Sequence, residues 1–90
     1  MEKEQQYIKE LHSACERNDT ALLIHYHRLL SPTKNYDSTL VRQALTRCVS
    51  SDINFARESL QNNLYWNARK NFHAAAMAAQ EYLAIVQTNP

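Results

Sequence analysis

Apolar residues recur along this chain in steps of three and four, and the breaks between the periodic runs divide it into helices. The clearest run spans Leu64 to Gln87, where Tyr65, Ala68, Phe72, Ala75, Ala79, Tyr82 and Val86 fall on one stripe of an α-helix. Its centre is rich in alanine, which favours helix and lets a neighbouring backbone approach closely. Near the start, Ile8, Leu11 and Cys15 share a face with Ala14 beside them, predicting a helix from about Glu2 to Arg17. Glu2 and Glu4 lie where the helix dipole favours acids. Asn18 and Asp19 break the chain, and one of them caps a second helix over Thr20 to Leu30, with Leu22, Leu23, Tyr26, Leu29 and Leu30 as its apolar set. Ser31 precedes Pro32 and therefore avoids the α region, so a loop follows from Ser31 to Tyr36.

Asp37 or Ser38 caps a third helix, with Val41, Ala44, Leu45, Cys48 and Val49 inward and Arg42, Gln43, Thr46 and Arg47 outward. Ser50, Ser51 and Asp52 offer another cap and predict a break before a helix over Ile53 to Gln61, with Phe55, Ala56, Ser59 and Leu60 inward. Asn62-Asn63 is the last break signal, because asparagine tolerates the left-handed conformation that ends helices. The long stripe does not extend back through it: Gln61 and Glu58 stand where apolar residues would be needed. The pattern predicts an all-α fold, a small antiparallel bundle of four to five helices with a long C-terminal helix, as a single helical domain over 1–90.

Composition strengthens this reading. The chain contains no glycine and two prolines, whereas tight β-turns usually recruit glycine. Ten Lys and Arg against nine Asp and Glu leave a net charge of +1, so no global charge directs it to nucleic acid or an anionic membrane. The opening MEKEQQYIKE is charged where a signal peptide needs an apolar segment, and the longest apolar run, Ala74 to Ala79, is too short to span a bilayer. The expectation is a cytoplasmic chain with no membrane role. Cys15 and Cys48 both fall on apolar faces, which predicts buried free thiols; a disulfide needs helices one and three to touch.

Candidate chemistry is sparse. His25 and His27, two apart, point about 200° from one another on a helix and cannot share an ion. Metal-binding helices space their ligands three or four apart, as in HExxH, and that pattern is absent around His12, His25, His27 and His73; neither cysteine has a CxxC partner, so no metal is expected. His27, near the end of helix two, is placed to interact with the helix dipole. Without glycine there is no phosphate-cradling loop and no nucleophile elbow, and Glu58 and Glu81 are isolated carboxylates. No catalytic residue and no cofactor follow.

Ala56, Asn63, Tyr65, Ala68, Phe72 and Ala75 make the segment from Asp52 to Ala76 resemble one tetratricopeptide-repeat hairpin. In that family the matching positions pack two helices against each other, so the resemblance implies a helical hairpin turning at Asn63. No second repeat is visible upstream. The same segment faintly resembles the helical core of HEPN-type ribonucleases. Their Arg is followed by four to six residues and then a His, while Arg69 and His73 have three between them.

The remaining expectation is a protein–protein interaction module: an adaptor, inhibitor or chaperone-like subunit acting by helix packing on another protein or on itself. Tyr65, Trp66, Phe72, Met77 and Tyr82 are its candidate contact residues, since Trp and Tyr dominate interface hot spots and Met adapts to irregular surfaces. The alternative is a helical nucleic-acid-binding regulator using Arg42, Arg47 and Arg57, which the near-neutral charge disfavours.

Overall fold

In the computed structural model, which describes residues 2–34 and 36–88, four helices follow one another: α1 (Glu2–Arg17), α2 (Thr20–Leu30), α3 (Thr39–Gln61) and α4 (Tyr65–Thr88). The described residues contain no strand, so the all-α expectation holds. Asn35, inside the expected loop between α2 and α3, lies outside the described residues.

Two asparagines do the work that glycine does in most helical proteins. Asn18 has φ 53° and Asn63 φ 60°, both in the left-handed region. After α1, Asp19 N–H donates to Ala14 O at 2.9 Å and Asn18 N–H to Cys15 O at 3.3 Å; after α3, Leu64 N–H donates to Ser59 O at 2.8 Å and Asn63 N–H to Leu60 O at 3.1 Å. Each pair is the double hydrogen bond of a Schellman motif, which satisfies carbonyls left open at a helix end. Asp19 then caps α2 through Leu22 N–H. Asp37 receives Thr39 N–H at 2.9 Å and the Thr39 hydroxyl at 2.7 Å at the start of α3, while Ser38 makes no side-chain cap.

The expected break at Ser50 to Asp52 does not occur; α3 runs through it. Asp52 is buried and its Oδ2 accepts a 2.8 Å hydrogen bond from the Thr20 hydroxyl of α2, so the would-be cap is a tertiary contact instead. The competing principle is that a short polar side chain caps a helix only if nothing better is within reach.

The core is formed by Leu11, Ala14 and Cys15 of α1, Leu23, Ile24 and Leu30 of α2, Val41, Ala44, Leu45 and Cys48 of α3, and Ala78 and Ile85 of α4. Cys15 and Cys48 are free, buried thiols, and burial pushes both upward in pKa. Helix lengths explain where this core stops. At 1.5 Å per residue α3 and α4 are each about 35 Å long and α2 only about 16 Å, so the α1–α2 hairpin covers one half of the α3–α4 hairpin. Beyond Cys48 on α3 and before Ala78 on α4, only Ala56, Ala68 and Ala75 are buried apolar residues, the small side chains along the α3–α4 seam. Phe55 and Leu60, expected inward, are exposed because no other helix reaches them. The radius of gyration, 14.1 Å, exceeds the roughly 12 Å of a compact chain of this length, as an overhanging hairpin requires.

Candidate protein-docking face

Glu81 and Asp52 orient the α3–α4 hairpin. Glu81 accepts two hydrogen bonds from Arg28 of α2, from Nε at 3.0 Å and from Nη2 at 3.3 Å, so it marks the side of α4 that α2 covers. Asp52, held by Thr20, marks the same side of α3. At 100° per residue, Tyr65, Phe72, Ala76, Ala79, Leu83 and Val86 lie about 140–220° round α4 from Glu81. They form the side away from α1 and α2. On α3, Thr46, Val49, Ile53, Arg57 and Leu60 lie about 60–140° round from Asp52, on that same free side.

Heptad spacing builds this face: Tyr65, Phe72, Ala79 and Val86 succeed one another at seven residues, with Ala76 and Leu83 repeating alongside. Thr46, Val49, Ala79, Tyr82 and Leu83 line an almost wholly apolar groove of about 310 Å³ between the two helices. Large side chains flank the continuation toward the turn, with Leu60, Leu64, Tyr65 and Phe72 all exposed.

The five residues expected from the sequence divide. Tyr65, 65% exposed, and Phe72, 42% exposed, stand on the free face. Tyr82 borders the apolar groove but is half-buried against the core. Met77 is half-buried and packs on the core from the covered side, so it is held within the chain. Trp66 is the most exposed of the large apolar residues at 69%. It points toward the side of Glu81, past the end of α1–α2, where the Arg69 guanidinium lies 5.9 Å from its ring centroid. Sequence reasoning missed Leu83 and Leu64. Leu83 carried a signal in its seven-residue step from Ala76, one position beyond Tyr82 of the long stripe.

A second, polar cleft of about 550 Å³ opens where the ends of α2 and α4 meet the start of α3, lined among others by His27, Arg28, Tyr36, Asp37, Arg42 and Glu81. Its polar groups are mostly paired to one another. His27 Nδ1 lies 2.8 Å from the Tyr36 hydroxyl, and burial lowers the pKa of the imidazole and pushes the phenol up to about 12. His27 is therefore a buried neutral partner of Tyr36, not the dipole-capping cation expected at the end of helix two. The Thr39 bonds hold the Asp37 carboxyl below its usual range.

The three arginines of the nucleic-acid reading are dispersed. Arg47 Nη2 donates to Cys15 O at 3.3 Å and Arg42 Nη2 to Thr39 Oγ1 at 3.4 Å, while Arg57 stands exposed on the overhanging half. Among the described residues no three His, Cys, Asp or Glu side chains gather in a metal-binding group, and no helix is long and apolar enough to cross a membrane. The chain matches no family model, and neither the curated proteins nor the solved structures contain a significant match to it.

Proposed function

We propose that this chain is a protein–protein interaction module, a cytoplasmic adaptor, inhibitor or chaperone-like subunit that acts by contact and not by catalysis. In this reading a small antiparallel helical bundle is the base, and the overhanging half of the α3–α4 hairpin is the working end. One observation carries it. Leu60, Leu64, Tyr65 and Phe72, four large apolar side chains that flank the free face toward the turn, are all exposed, and Phe55 and Trp66 stand exposed on other sides of the same end. Scattered exposed apolar residues are ordinary, but a contiguous group on a monomer marks a contact surface. The shorter α1–α2 hairpin supplies the stability that leaves this half free to bind.

The test is a binding and melting series on Trp66→Ala, Phe72→Ser and Leu83→Ser, with partner capture from the native lysate and thermal unfolding measured side by side. Because these side chains are exposed, the expected result is loss of capture with melting temperatures close to the parent's. Equal losses in binding and stability would return these residues to a structural role.

A further inference from the structure

We infer that the turn end of the α3–α4 hairpin, residues 53–76, is a conformational unit of its own, which opens in one piece while the half covered by α1 and α2 stays folded. The opening belongs to this chain alone. Under the docking reading above, it takes the exposed apolar group at that end apart and reassembles it.

Burial is divided unequally along the same two helices. In the covered half, α3 buries Val41, Ala44, Leu45 and Cys48 and α4 buries Ala78 and Ile85, in one core with side chains of α1 and α2. Residues 53–76 bury only Ala56, Ala68 and Ala75, with Ile53, Ser59, Asn71 and Ala74 half-buried. An alanine takes one methyl group out of water, whereas every residue held in a helix gives up backbone freedom. The overhanging half therefore offsets far less of its ordering entropy than the base does.

Polar ties show the same division. Thr20 to Asp52, Arg28 to Glu81 and Arg47 to Cys15 O each join residues at least 32 apart, and all lie in the covered half or at its edge. Side-chain hydrogen bonds within 53–76 are local: Asn62 Nδ2 donates to Glu58 O at 3.1 Å and the Tyr65 hydroxyl to Asn63 Oδ1 at 3.0 Å. Local bonds are lost with the segment and tie it to nothing else. Propagation of helix from the base is the remaining support. Asn54, Phe55, Ser59, Trp66, Asn67 and Asn71 propagate it less well than the alanine run that begins at Ala74.

The two arms open together because each is the other's only tertiary partner. An arm that leaves the seam strips the other of every buried side chain it has. Opening stops on α3 where Thr20 holds Asp52, and on α4 where Ala78 enters the core. Leu60, Leu64, Tyr65 and Phe72 form a common surface only while the unit is closed, so the closed fraction sets how much of the chain can dock.

Residue-resolved amide hydrogen exchange on the whole chain tests this, in buffer and in urea below the unfolding transition. Leu60, Ala68, Asn71 and Ala75 should share one level of protection, about tenfold or more below that of Leu45, Cys48 and Tyr82, and depend less steeply on urea. Ile24→Val removes one methylene from the base core. It should speed exchange of the base amides about fivefold and leave those of 53–76 unchanged, since their opening does not include the base. Equal protection along α3 and α4 overturns the inference, as does equal acceleration of both halves by Ile24→Val. A smooth decline toward the turn with no shared value also overturns it, because the arms then fray separately. None of these readouts involves a partner, so their failure leaves the proposed function to its own binding series.

Discussion

Thr20 of α2 and Asp52 of α3, 32 residues apart in sequence, meet in a buried 2.8 Å hydrogen bond from the threonine hydroxyl to Asp52 Oδ2. This contact ties the two hairpins together where the shorter one ends. Burial raises the Asp52 pKa, and the Thr20 hydrogen bond works against that rise. Thr20→Val keeps the shape but strips the carboxylate of its partner. It should lower stability by about 1–3 kcal/mol in urea unfolding, the cost of a buried polar group left unpaired.

The same carboxyl makes stability depend on pH in a defined direction. A group whose folded pKa exceeds its unfolded value, here 3.8, contributes fully below that value and loses its contribution as pH climbs through the folded pKa. Asp52→Asn keeps an acceptor for Thr20 and carries no charge to desolvate. Its melting temperature should match the parent's near pH 3.8 or below and exceed it at pH 7. A constant difference across a melting series over that range would refute the assignment.

His27 acts in the opposite sense. Burial depresses its pKa below 6.5, so the neutral ring favours the fold above pH 6.5, and that contribution fades as pH falls through the depressed value. His27→Gln should be less stable than the parent at pH 7.5, because the Tyr36 contact is lost. The gap should narrow on acidification below 6.5. Unfolding at four pH values between 5 and 7.5 measures it, single variants separating this slope from that of Asp52.

Arg28 and Glu81 join α2 to α4, but unequally, since the arginine side chain is 70% exposed and the glutamate side chain 10%. Removing the exposed partner leaves a mostly buried carboxylate alone. Arg28→Met should cost about 1–2 kcal/mol, less than for a fully buried pair because solvent still reaches the arginine's side. Glu81→Gln should cost less than Arg28→Met, because the charge then left unpaired is the solvent-exposed guanidinium of Arg28. The reverse ranking in denaturant titrations would contradict this account.

Asn63 ends α3 with a left-handed backbone, and its Oδ1 accepts the Tyr65 hydroxyl at 3.0 Å. Asn63→Ala places a Cβ without that compensation in the same conformation and should destabilise by about 1–2 kcal/mol. Asn63→Gly should lie close to the parent, since relief at φ 60° opposes the greater freedom glycine has when unfolded. Thermal unfolding of the pair decides it.

How much of this was legible beforehand follows from the range over which each signal acts. Helix limits were readable at Arg17, Thr20, Leu30 and Gln61, because caps, Pro32 and the two left-handed asparagines act within a few residues of the chain. Ser31 itself departs from expectation: it stays in the α region at φ -59°, ψ -32°, because its N–H still donates to His27 O at 2.8 Å. The helical hairpin turning at Asn63 was readable for the same reason. Fold class followed from period and from the absence of glycine.

Tertiary structure decided the rest, because those outcomes depend on what stands opposite. Ser50-Ser51-Asp52 is a good local cap, and only Thr20 arriving from α2 made Asp52 a buried partner and let α3 continue. The stripe through Tyr65, Ala68, Phe72 and Ala75 is a single pattern in sequence, yet Ala68 and Ala75 are buried against α3 while Tyr65 and Phe72 face outward. A helical period says which residues share a side. It does not say how far a neighbouring helix extends, and the short reach of α1–α2 is what leaves one end of the α3–α4 hairpin uncovered.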